Sequence, residues 1–166
     1  MGQRSTKENK NIYFTSREDC GFTREAAVEK LACISRSRLE KIEYDQSKPT
    51  PEEVVTMAEQ YRNPSLCNYY CSHDCTIGQD HVPEVKEKGL SQITIEMLAT
   101  LNELSGNKDR LINIVADEVV TADELPDFME IKNNLEKMSL VIDSLNLWVE
   151  KAIASDVINT ESLKES

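Results

Sequence analysis

Glycine and proline are scarce, at five residues each in a chain of 166. That argues against turn-rich sandwiches and barrels, and against flexible low-complexity linkers. Aromatic residues are few, at 5% of the chain. Only two histidines are present, and no nucleophile stands beside a base in the sequence, so enzymatic chemistry is not expected. No apolar run approaches the length of a membrane span. The first eleven residues are polar and lack the apolar core of a secretion signal, which places the chain in the cytoplasm as an expectation. Five cysteines are an odd number, which suits reduced thiols better than a disulfide scaffold. Basic residues are also in short supply: 19 Lys and Arg against 30 Asp and Glu, a net charge of −11. The acidity is uneven. Residues 1–80 hold 11 basic and 13 acidic residues, a net −2, whereas residues 81–166 hold 8 and 17, a net −9.

What is present is helical periodicity. Tyr13, Phe14 and Arg17 mark a first helix over residues 12–20. Thr23 can cap a second, opened by Arg24 and Glu25, with Ala27, Val28 and Leu31 on one face. After a short break, Ser35 can cap a third, which buries Leu39 and Ile42 and turns Arg36, Ser37, Arg38 and Lys41 outward. Thr50-Pro51-Glu52-Glu53 is a capping box with proline in the first turn. Behind it, Val54, Met57, Ala58 and Tyr61 form a stripe that should close a small core over Leu31, Ile34, Leu39 and Ile42. Asn63-Pro64 ends that helix, and Leu66, Tyr69 and Tyr70 start another short one. Residues 76–89, with Gly78, Pro83 and Gly89, read as a connector.

The second half begins near Leu90. Ile93, Met97, Leu101 and Leu104 give one helix, and Leu111, Ile112, Val115 and Val119 a shorter one. Phe128, Ile131, Leu135, Met138, Ile142, Leu145 and Val149 alternate steps of three and four, the seam of a long helix. Leu140, Val141, Leu147 and Trp148 widen it beyond a strict seam, so several packing partners are expected. The expected class is all-α: a small helical bundle followed by a helical hairpin or three-helix domain. The polar ends, residues 1–11 and 155–166, are expected to lie outside both.

Two short helices joined by a tight turn, the second polar and basic on its open face, fit a helix-turn-helix, whose second helix can enter the major groove. Arg17, Gly21, Thr23-Arg24-Glu25, Leu31, Ile34-Ser35, Leu39, Ile42-Glu43 and Pro49 resemble the Xre family of Cro/phage-repressor-like regulators over roughly residues 12–62. The whole chain also resembles Gram-positive bacterial members with a C-terminal helical extension. The turn is one residue longer than is common there, Ala32 or Cys33 stands where glycine is usual, and Val28 replaces a small alanine. The resemblance implies that Arg17 pairs with Glu43 and that Arg24 takes the place of a DNA-touching glutamine. Residues 12–75 are then a DNA-binding domain, 76–89 a connector, and 90–155 an acidic helical domain for dimerisation or effector binding. Double-stranded DNA and a second copy are the expected partners. Thr23, Arg24, Ser35, Arg36, Ser37, Arg38, Lys41 and Lys48 are the candidate contacts. The low basicity of residues 1–80 keeps a rival open, an adaptor that retains the fold without DNA binding.

The cysteines offer a third possibility. Cys67, Cys71 and Cys75 are spaced four apart and could hold zinc or an iron–sulfur cluster, with Cys20 as a fourth ligand, or act as a redox sensor. Three thiolates at that spacing cannot converge from a straight helix, so a metal would require an interrupted one at residues 71–75. The spacing departs from the common Cys-x2-Cys pattern, and buried or idle thiols explain it more simply. No cofactor is therefore favoured. Asp74, Asp80 and His81, and the acidic group Asp117, Asp123, Glu124 and Asp127, lack the spacing of a metal loop and read as solvated turns.

Overall fold

The computed structural model describes residues 10–114, 116, 119–155 and 157–158, and among these the chain is all-helical. The polar ends at 1–9 and 159–166, with Val115 and Asp117, lie outside the described residues. None of the described helices is long and apolar enough to cross a membrane. Contacts divide the chain into two units. One comprises residues up to Val85 together with those from Val149 on, and the other is Lys86–Trp148.

The first unit is built from short helices whose starts are fixed by side-chain caps. Asn11 accepts the Phe14 N–H at 3.0 Å and opens α1, Ile12–Asp19. Gly21, in the left-handed region at φ +72°, turns the chain. Thr23 accepts from Ala26 and opens α2, Arg24–Leu31, and Ser35 accepts from Arg38 and opens α3, Arg36–Glu43. At α4, Pro51–Gln60, both halves of the capping box form between Thr50 and Glu53. Each cap satisfies N–H groups that the first turn of a helix leaves without partners. These helices are too short to persist alone in water. They are held by a core of Tyr13, Ala27, Leu31, Ile34, Leu39, Ile42, Val54, Met57, Tyr61 and Leu66, each at most 2% exposed.

The ends of α2, α3 and α4 share a second feature. Ala32, Asp45 and Arg62 all have positive φ, a region that L-residues other than glycine pay to enter. Ala32, at φ 46° and ψ −38°, is the residue that ends α2 and begins the turn into α3. Its methyl group makes the turn costly without contributing to the core, since the residue is exposed. Ala32→Gly is expected to raise stability by about 0.5–1 kcal/mol, the relief of left-handed strain less the entropy of freeing the unfolded chain. Urea denaturation followed by far-UV circular dichroism measures it, and an unchanged or lower midpoint would contradict it.

After α4 the chain forms α5, Ser65–Tyr69, and then widens into one π-helical turn over Tyr70–Asp74, closed by the Cys75 N–H on the Tyr70 carbonyl at 2.9 Å. The helix therefore does change character across Cys71, and it ends at Cys75 in an extended conformation. A further short helix, α6 at Gly78–His81, stands inside the segment expected to be a plain connector. Its first residue explains the placement. A Cβ at Gly78 would lie 2.0 Å from the Cys71 carbonyl oxygen, so only glycine lets α6 pack onto the π-turn.

The second unit holds α7, Leu90–Gly106, then α8, Lys108–Ile114, and α9, Leu125–Ala154, a helix it shares with the first unit from Val149 on. Thr121 and Glu124 bond to one another just ahead of α9, with Pro126 in its first turn. The seam of α9 is rotated from the expected one. Ile131, Asn134, Val141 and Ser144 are buried, while Leu135 and Ile142 are 51% and 45% exposed. On α7, Thr100 is buried where Leu101 was expected. The polar members cost little there. Thr100 and Ser144 donate to the carbonyls of Glu96 and Leu140 four residues back, so their hydroxyls enter the interface already paired.

Candidate nucleic-acid interface

The surface that the sequence singled out is the outer face of α3. The helix is anchored from beneath by a buried charge network. Arg17 on α1 donates to Glu43 at the end of α3, Nε to Oε1 at 2.5 Å and a terminal nitrogen to Oε2 at 3.2 Å. Its other terminal nitrogen bonds the Phe22 carbonyl at 2.6 Å, which ties the loop before α2 to the same point. Glu43 is wholly buried and Arg17 only 5% exposed. Arg24 reaches the same carboxylate at 2.6 Å, and its guanidinium lies over the rings of Phe14 and Tyr44. Burial works against its charge, but the hydrogen bonds it donates to Tyr44 and Glu43 outweigh that and hold the Arg24 guanidinium firmly charged. The Arg17–Glu43 pairing implied by the family resemblance is thus present as geometry, and Arg24 is drawn into it.

The candidate contact residues separate into two groups. Arg36, Ser37 and Lys41 are exposed on the outer face of α3. Arg36 shares an ion pair with Glu25 of α2 at 2.9 Å, with both side chains more than half exposed. Surface pairs of this kind are worth little and exchange readily. Thr23 and Ser35 use their oxygens as cap acceptors, and the Thr23 hydroxyl also bonds the Glu25 carboxylate.

Arg24 and Arg38 are committed to the protein instead, while Lys48 stays largely exposed over a surface pair with Asp74. Arg38 was expected on the open face. It lies half-buried, with two bonds to the Glu53 carboxylate at 2.8 and 2.7 Å, one to Ser47 and one to the Lys48 carbonyl. The paired guanidinium, the largest influence on Glu53, holds that carboxyl below its usual range. Lys48 caps the Asp74 carbonyl at 3.1 Å and lies 3.8 Å from its carboxylate. Asp74 in turn accepts from the Tyr13 hydroxyl at 2.8 Å. These links tie α1, the loop before α4 and the π-turn together. Sequence spacing could not show them, because they join residues nine to sixty-one positions apart.

The thiols are all free. Cys20 donates to the Tyr61 carbonyl at 2.8 Å, Cys75 accepts from the Gly78 N–H, and Cys33 is exposed. Burial pushes the Cys20 and Cys67 thiols up, which favours the protonated form over the thiolate that metal binding and disulfide exchange use. Among the described residues, no group of three or more His, Cys, Asp or Glu side chains is arranged to hold a metal ion.

The chain matches no protein-family model, no curated protein and no solved structure.

Proposed function

We propose that the first unit is an Xre-like helix-turn-helix that binds double-stranded DNA through α3, and that the chain acts as a cytoplasmic transcriptional regulator in pairs. One observation carries this reading. α3 sinks Leu39, Ile42 and Glu43 completely and turns Arg36, Ser37 and Lys41 out. A helix so divided, and fixed from below by the Arg17–Glu43 pair, presents a rigid polar ridge of the width the major groove admits. Arg36 gives up only an exposed ion pair to reach a guanine edge. Arg38 would have to break four bonds to do the same, so its role is to hold α3 on the capping box of α4.

Selected-site binding tests this division. Arg36→Ala is expected to lose about 1–3 kcal/mol of discrimination at one base position. Lys41→Ala should weaken all sequences alike and lower the salt slope by about one. If neither variant changes binding, α3 is not the reading helix. A second reading, an adaptor for a protein partner, is favoured by Glu25 and Glu40, which stand on or beside the same ridge and pair with Arg36 and Arg24. Absence of any gel shift at low salt, where phosphate attraction is strongest, would select it.

A further inference from the structure

Within the second unit, α7 and α9 run antiparallel as a hairpin. Glu103 pairs with Lys137 at 3.4 Å, and Arg110, farther along the chain, pairs with Asp127, farther back. Those charges line one flank, where Glu103, Asn107, Glu130, Asn134 and Lys137 border a groove of about 370 Å3. At 3.6 residues per turn the opposite flank falls to Leu98 and Leu101 of α7 and Leu135 and Ile142 of α9. These four side chains are 57%, 46%, 51% and 45% exposed. The hairpin therefore has a polar flank, a buried seam, and an apolar flank with one stripe from each helix.

We propose that this apolar flank is the surface on which a second copy of the chain docks, antiparallel and two-fold related about a point between Met138 and Ser139. The inference names the partner surface that the DNA reading calls for. It rests on that reading only for its purpose and on the flank for its geometry. Two stripes side by side are half of a four-helix layer, and an identical flank supplies the other half at matching length. The charges on its border agree. Lys132 stands toward one end of the α9 stripe and Asp143 toward the other. A two-fold axis near Ser139 sets Leu135 against Ile142 of the other copy. It also brings Lys132 to within about two residues of the other copy's Asp143, an offset of about 3 Å at 1.5 Å per residue. Lys132 gives up only an exposed pair with Glu136 on its own helix. A parallel arrangement would set like charges together.

Sedimentation of the full chain without DNA tests this. A dimer is expected at micromolar concentration. Leu135→Glu combined with Ile142→Glu should raise its dissociation constant by about 100-fold or more and leave helix content unchanged. Ile95→Glu, at a residue 68% exposed but off the flank, should change neither. Lys132→Glu and Asp143→Lys should each weaken the dimer, and together restore it. A chain monomeric at the highest concentration reached, or a double-Glu variant that pairs as tightly as the parent, overturns the proposal. Failure of the charge swap to restore pairing overturns the register. Dimerisation without any DNA binding would sink the DNA reading and leave this inference standing. Tight DNA binding by a monomer would do the reverse.

Discussion

Glu43→Ala is expected to destabilise the first unit by about 3–5 kcal/mol, the cost of breaking a buried ion pair by removing one member. Glu43 is fully buried and takes hydrogen bonds from two arginines, Arg17 and Arg24. Its loss leaves two guanidinium groups facing each other with no anion between them. A small domain has only about 5–15 kcal/mol in total, so the variant should be partly unfolded at physiological temperature. Glu43→Gln keeps the shape and an acceptor oxygen and should fall between the two. All five tyrosines lie in the first unit. Near-UV dichroism from tyrosine, which reports on the first unit, should lose its transition at lower urea in the variant. A loss below about 1 kcal/mol would mean that the network is not under the strain of burial assigned to it.

Leu66→Ala is the second large effect, at about 2–5 kcal/mol. α5 has five residues and no side-chain cap, so little beyond the backbone turn at Asn63 and Pro64 holds it locally. It stays in place because Leu66 is fully buried in the core formed with Tyr13, Leu31 and Met57, while Cys67, Tyr69 and Tyr70 pack around the rim. Truncation leaves a cavity at this junction and removes the only fully buried side chain of the segment. The π-turn and α6 depend on α5 for their position, so the damage should spread to them. Limited proteolysis should find new cleavage between residues 65 and 85 in the variant, together with a lower urea midpoint. Parent-like resistance there would show that the Asp74 links to Tyr13 and Lys48 hold the segment without Leu66.

The parts of the fold legible in the sequence are those decided within a few residues. Thr23, Ser35 and the Thr50–Glu53 box act on N–H groups three positions away, and each cap forms where its sequence signal stands. The stripe Val54, Met57, Ala58 and Tyr61 likewise reports its own buried face. Arg38 was misplaced for the opposite reason. Its position on α3 is outward by periodicity, but a long side chain can bend to a carboxylate on another helix, and Glu53 offers one already fixed by its cap. Periodicity locates a Cβ and says nothing of where the rest of a long side chain ends.

The rotated seam of α9 has a related origin. Counting apolar letters favours the face with Leu135 and Ile142, because Asn134 and Ser144 score as polar. In place, Ser144 bonds its own helix, and Asn134 accepts from Lys137 at the edge of the hairpin. Of the expected seam Ile131 stays buried, while Leu135 and Ile142 are left open. α6 was missed because Gly78 reads as a loop residue, and its use as a contact with a carbonyl is invisible without the π-turn beside it.

The division of the chain bears on its manufacture. The first unit includes residues from Val149 on, where Ala152 is buried and Glu150 lies close enough to Cys67 to influence its thiol. A ribosome delivers these residues only after the Lys86–Trp148 stretch. The core through Leu66 can fold early in synthesis, but the unit that carries α3 acquires its final segment only after the whole Lys86–Trp148 stretch has emerged. Products of premature termination anywhere in that stretch would carry an unfinished first unit. The order of translation thus makes the second unit a prerequisite for completing the first.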